Sequence, residues 1–205
     1  MQEDQSLKNA KHDLRARTLV ARDQLRAPYR ASCAQKLIYY LDVFGDVQDK
    51  IVSGFLPIQS EIDAKPLMDA LKAKGARLCL PVVVNKTTIE FRAYENDETL
   101  IEAGFGTKGP PPDAPVLQPE VMIVPLAVFD TYGGRIGYGA GYYDRAIARL
   151  IAARTPPLKV GLAFALQEVP CVPQDGYDVP LDYIITHEGV ITPEPRPALS
   201  TLGDT

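Results

Sequence analysis

Short apolar runs alternate along this chain with amphipathic stretches, which predicts strands and helices in turn. Leu7, Ala10, Leu14, Thr18, Ala21 and Leu25 have the spacing of a buried stripe on a helix over residues 7–25. Lys8, Lys11, Arg15 and Arg22 form a second, basic stripe on it, with Lys11 and Arg15 one turn apart. A second helix is predicted over 30–44, stopped by Gly45. Residues 51–56 read as a short strand, 64–74 as a helix closed by Gly75, and 77–84 and 88–94 as two strands joined at Asn85 and Lys86. Residues 104–119 hold five prolines and three glycines and read as loop. Residues 121–128 are the most apolar run, predicted as a central strand with Pro125 marking a bulge or its end. A helix from Tyr142 and strands at 159–164 and 183–186 follow. The alternation implies one α/β domain over residues 1–192, a mixed central sheet between two layers of helices. Residues 193–205 are rich in Pro, Ser and Thr and are expected to form a disordered tail.

Composition narrows the class. With 46% hydrophobic and 23% charged residues in 205, the chain is not globally disordered and has material for one core. A net charge of −4 provides no overall field for nucleic acid. The polar N-terminus lacks the apolar region of a secretory signal, and no apolar run approaches bilayer length, so no membrane association is expected. Cys33, Cys79 and Cys171 are odd in number and far apart, and read as reduced thiols of a cytoplasmic protein. His12 and His187 are isolated and receive no role.

The densest candidate chemistry lies at 133–149, GGRIGYGAGYYDRAIAR. Gly133 and Gly134 predict a turn; Gly137, Gly139 and Gly141 then alternate with larger residues before Tyr143, Ile147 and Leu150 take up helical spacing. Such glycines let a ligand approach bare backbone, and the free N–H groups of a helix start suit phosphate. Arg135 adds a cation and Asp144 a first-turn carboxylate, either a helix-terminus charge or a magnesium ligand. No Gly-Lys dipeptide exists, so this is not a Walker A loop, and the glycine spacing is not the dinucleotide fingerprint. A plain helix-capping loop fits the local pattern equally well, as a solvated face fits the basic stripe. Glu61 follows a strand end, where open α/β sheets bind ligands, although it and Asp63 also suit the start of a helix.

Together these segments resemble the 5-formyltetrahydrofolate cyclo-ligase (5,10-methenyltetrahydrofolate synthetase) family from about Lys11 to Thr186. The stretch from Arg135 through Gly137, Gly139 and Gly141 to Asp144 is similar to its RLGxGxGYYD signature. Lys11 to Arg15 resembles its KxxLR segment, Leu56 to Glu61 its substrate segment, and Val179 to Asp182 with 183–186 its C-terminal acidic segment. The chain departs at Tyr138 and Ala140, where a basic residue is frequent, at Gly109, where an acid is, and at Tyr177, where histidine is.

The resemblance implies a fold like that of the sugar-phosphate isomerase and CoA-transferase-like proteins. It also implies cyclisation of 5-formyltetrahydrofolate to 5,10-methenyltetrahydrofolate, using ATP and Mg2+ and passing through a phosphorylated formyl group. It makes Lys11 and Arg135 catalytic, and assigns ATP to Lys11, Arg15, Arg135, Ile136, Gly137, Tyr138, Gly139, Ala140, Gly141, Tyr142 and Tyr143. Leu56 and Glu61 are implied for folate, Asp144 and Asp182 for magnesium, in a monomer or weak homo-oligomer. Two other readings stand beside it: a non-catalytic nucleotide- or folate-binding module, and a sugar-phosphate isomerase or CoA-transferase-like enzyme on a similar scaffold.

Overall fold

The computed structural model describes residues 2–104 and 107–196. The chain opens with helix α1 (Gln2–Asp23) and helix α2 (Ala27–Lys36). The helix expected over 30–44 is in fact two pieces: α2 starts early because Pro28 suits a first helical turn, and Leu37–Phe44 continues as a 3-10 segment kinked at Tyr40. Strand β1 (Ile51–Ser53), helix α3 (Lys65–Ala73), β2 (Arg77–Asn85) and β3 (Thr88–Ala93) follow. Then come β4 (Ile101–Gly104), β5 (Thr107–Gly109), β6 (Val116–Leu117), β7 (Val121–Pro125), β8 (Val128–Phe129) and β9 (Arg135–Ile136). Helix α4 (Tyr142–Ala152), β10 (Leu158–Leu162), β11 (Tyr183–Ile185) and β12 (Val190–Ile191) complete the order.

Eight strands form one sheet in the order β12-β11-β10-β7-β1-β2-β3-β6. The five from β11 to β2 are parallel, while β12, β3 and β6 pair antiparallel at the edges. The apolar run 121–125 sits in the middle, as its composition requires of a strand covered on both sides. Its alternate residues serve two cores. Val121 and Ile123 pack with Leu37, Leu67 and Met68 on one face, and Met122 and Val124 with Ala146 and Ile147 of α4 on the other. This is the expected α/β arrangement, a central mixed sheet flanked by helices. No helix among the described residues is long and apolar enough to cross a membrane.

Three sequence expectations need correction. The breaker-rich stretch 104–119 contains β5 and the edge strand β6, because two- and three-residue pairings fit between prolines. The central strand expected over 121–128 is shorter: it ends at Pro125, and a β8–β9 hairpin stands between it and the glycine stretch. Residues 193–196 are also tied down: Arg196 pairs with Asp130 at 2.8 Å and the Glu194 N–H bonds the Thr131 carbonyl at 3.1 Å. The remaining tail, 197–205, lies outside the described residues.

Candidate active site

Helix α1 turns its basic stripe inward. Ala10 and Ala21, expected on its buried face, are exposed, whereas Lys11 and Arg15 are half-buried and Arg22 is 1% exposed. The reason is chemical: this face meets loops that offer oxygen acceptors, not the apolar face of the sheet. Arg15 Nε donates to the Gly137 carbonyl at 2.7 Å across 122 residues of chain. Lys11, one turn earlier, meets the loop before β11, with Nζ 3.0 Å from Asp175 and 2.5 Å from Asp178. Burial works against the Lys11 charge, but the two carboxylates outweigh it and raise its pKa. Arg15 has no such carboxylates, and burial lowers its pKa.

The glycine stretch is shaped by two left-handed positions. Gly139 has φ of 99° and Gly141, the N-cap of α4, has φ of 63°, conformations that disfavour any side chain. A Cβ at Gly139 would also lie 3.7 Å from the Arg15 guanidinium, so the cation rests against bare backbone. Upstream, buried Asp130 accepts from the N–H groups of Tyr132, Gly134 and Val172, which pins the β8–β9 turn. That turn delivers Arg135, 6% exposed, beneath the start of α4. There its Nη2 bonds Asp144 at 2.6 Å and its Nη1 donates to the Val179 carbonyl. The Val179 N–H meets the same Asp144 oxygen at 3.2 Å. Ile136 is buried at the turn's exit, and Tyr142 and Tyr143 pack on the second core, with the Arg145 guanidinium over the Tyr142 ring. Ala140 gives its carbonyl to Arg145.

A second group of polar side chains lies buried beyond the end of β1, around a closed hollow. Leu56 is half-buried against the first core, and Glu61 is 6% exposed. Glu61 Oε2 accepts the Ile58 N–H at 2.8 Å, folding back onto the loop; the helix-start role falls to Asp63, which accepts from Lys65 N. Glu61 Oε1 has no partner. Burial pushes its carboxyl up, against the pull of Tyr138, the Ile58 N–H and Arg22. Tyr138, from the glycine stretch, reaches this pocket, where Arg22 Nη1 donates to its hydroxyl at 2.6 Å. Tyr138 thus joins the nucleotide and folate candidates physically, and burial raises its own pKa.

The structure brings Lys11, Arg15, Arg135, the glycines and Asp144 to one neighbourhood, with Glu61 adjoining through Tyr138. Asp144 and Asp182 share none of their hydrogen-bond partners among the described residues. Asp182 Oδ2 accepts from Lys159 N at 2.8 Å and Lys159 Nζ at 2.7 Å, at the starts of β10 and β11. Asp182 marks the beginning of a parallel strand, whereas ligands favour strand ends. Among the described residues no three His, Cys, Asp or Glu side chains cluster as a metal site. Sequence reasoning missed Asp175, Asp178 and the inward Arg22; an acid-rich loop close to the C-terminal segment was the available signal for the first two. All three cysteines are free thiols, and burial pushes Cys79 up to about 12.

The family model described as 5-formyltetrahydrofolate cyclo-ligase matches residues 7–187. The 5-formyltetrahydrofolate cyclo-ligase of Escherichia coli (strain K12) is 33% identical over 141 residues, 66% of this chain and 76% of that protein. The Mycolicibacterium smegmatis protein of the same name is 30% identical over 149 residues, 68% of this chain and 75% of its own length. Among solved structures, the NMR structure of Aquifex aeolicus 5,10-methenyltetrahydrofolate synthetase aligns with a TM-score of 0.74 and 28% identity, covering 94% of this chain and 97% of that one. With its signature stretch folded around Arg15 and its basic helix turned inward, the chain belongs to the 5-formyltetrahydrofolate cyclo-ligase family of enzymes.

Proposed function

We propose that the chain closes 5-formyltetrahydrofolate to 5,10-methenyltetrahydrofolate at the expense of ATP, releasing ADP and phosphate, with Mg2+ as the metal. The observation that carries this reading is the Arg15–Gly137 bond at 2.7 Å, which sets a basic helix against a glycine-rich loop opening a helix. As members of a family of enzymes, its relatives give no support to a non-catalytic module or an isomerase.

An amide oxygen is a poor leaving group, so the formyl oxygen first attacks the γ-phosphorus and ADP departs. The N10 lone pair then attacks the formyl carbon, N10 loses its proton, and phosphate leaves with the former formyl oxygen. Positioning and charge do most of this work. Lys11 and Arg15 neutralise the triphosphate, and residues 136–143 line it. Arg135, with both Nη atoms engaged, adds charge from beneath and orients Asp144. Leu56 and Glu61 hold the folate.

Magnesium, when bound, would offset the negative charge of the phosphates, and Asp144 would help hold it. Asp144 fits: its hydrogen bonds to Arg135 and the Val179 N–H both fall on Oδ1, so Oδ2 could serve as a ligand. Asp182 and Asp178 are each held by a lysine through Oδ2, Lys159 and Lys11 respectively; Asp178, adjacent to the Val179 N–H that meets Asp144, is the second carboxylate linked to Asp144. The test is appearance of the methenyl chromophore on mixing protein, ATP, Mg2+ and 5-formyltetrahydrofolate, with stoichiometric ADP. No chromophore in the full mixture, or equal rates without ATP, overturns the reading.

A further inference from the structure

We propose that Arg22 binds the folate directly: its Nη2 donates to the 4-oxo group of the pterin while Glu61 Oε1 accepts the neighbouring ring N–H. The proposal rests on the reading of the Glu61 pocket as the folate site.

Arg22 and Glu61 line one hollow with Phe55, Ile62, Leu126 and Gln167. Buried polar groups in proteins are almost always partnered. Here two exceptions share a wall: Arg22 Nη2 and Glu61 Oε1 are both buried without a hydrogen bond. Gln167 is already spent, its amide bonding Phe164 N, Leu126 O and Ala127 O. What the hollow offers is therefore one donor beside one acceptor between apolar walls. A flat cyclic lactam, with C=O and N–H side by side, supplies the complement.

Arg22 is also held ready. Its Nε donates to Ser60 Oγ at 2.9 Å, its Nη1 to Tyr138, and its guanidinium lies 5.7 Å from the centre of the Tyr138 ring. A guanidinium fixed on two sides with its third nitrogen open is preorganised for a ligand. The hollow is too tight for water in this state, so a wall must move to admit the ring. Tyr138, 38% exposed, flanked by glycines and bonded to Arg22 beside the hollow, is the neighbour whose movement would release that wall.

The experiment measures Kd by calorimetry for 5-formyltetrahydrofolate and its 4-amino-4-deoxy counterpart, in the wild type and in Arg22→Met. The Glu61 contribution divides out when the two ligand ratios are compared. The wild-type preference for the 4-oxo ligand should exceed that of Arg22→Met at least tenfold, with circular dichroism unchanged. Ratios within twofold of one another overturn the proposal. If Arg22→Met does not fold, 15N NMR of the wild-type guanidinium decides: the Arg22 η protons should shift and exchange more slowly on saturation with 5-formyltetrahydrofolate, and an unmoved signal overturns it. Glu61→Gln separates the two layers. Weaker folate binding in Glu61→Gln with unchanged ratios in Arg22→Met sinks Arg22 alone; unchanged binding in Glu61→Gln sinks the folate site and Arg22 with it.

Discussion

Lys11 and Arg22 stand three turns apart on one helix face, yet their surroundings differ in kind. Around Lys11 the cation is half-buried and shared by Asp175 and Asp178. Around Arg22 and Glu61 the groups are almost wholly buried, and each keeps an unpaired atom. Displacing carboxylates from a partly solvated cation costs little, so under the proposed function a triphosphate would compete well for Lys11. Leaving a buried donor or acceptor unpaired costs about 1–3 kcal/mol, so the second pocket gains most from a ligand that completes its bonds. One region exchanges partners; the other waits for one.

The largest expected effect breaks the buried side. Glu61→Gln keeps shape but turns an acceptor into a donor, losing about 1.5–3 kcal/mol from a charge-assisted bond. Steady-state kinetics should show the folate KM raised about 10- to 150-fold, with the ATP KM changed less than about twofold. Equal effects on both substrates would erase the distinction between the regions. Next, Lys11→Ala should weaken ATP binding about tenfold, because part of the lost contact is offset by carboxylates that no longer compete. Smaller still, Asp175→Asn should tighten ATP binding, read as a Kd lowered about two- to threefold, since it frees Lys11 from an exposed ion pair. Unchanged affinity in both variants would make the Lys11 cluster a purely structural clasp.

The smallest effect concerns stability without ligand. The Glu61 carboxyl titrates higher in the folded chain than its ordinary value of 4.5, because burial disfavours the charge. Above that value the folded form binds more protons than the unfolded one, so stability falls as pH rises through the window between the two, and stays lower at neutral pH. Glu61→Gln removes this penalty. It should melt above the wild type at neutral pH, and the difference should vanish as pH falls below the ordinary carboxylate range. A difference independent of pH would exclude the charge as its cause.

Much of the architecture was legible in the sequence because it follows local periodicity. The central strand at 121–125, α3 with Gly75 behind it, and α4 behind the glycines all came from apolar spacing and breakers. The short pairings β5, β6, β8, β9 and β12 were not legible, since two or three residues carry no period. At the site, Arg15 and Arg135 were legible as cations, but their partners were not. The Lys11–Asp178 pair spans 167 residues, and no local pattern encodes such a meeting. Arg22 was misread for a related reason: spacing identifies its stripe but not whether sheet or polar loop lies opposite.

The span of those contacts has a consequence for biosynthesis. Helix α1 is made before its partners at Gly137, Asp175 and Asp178, which follow more than a hundred residues later. A ribosome emits α1 long before these partners exist to meet its inward cations. The candidate site is therefore completed late, when the segment before β11 emerges and clasps Lys11. A chain halted before residue 175 would already hold β1, β2, β7 and β10 of the sheet, yet lack this clasp.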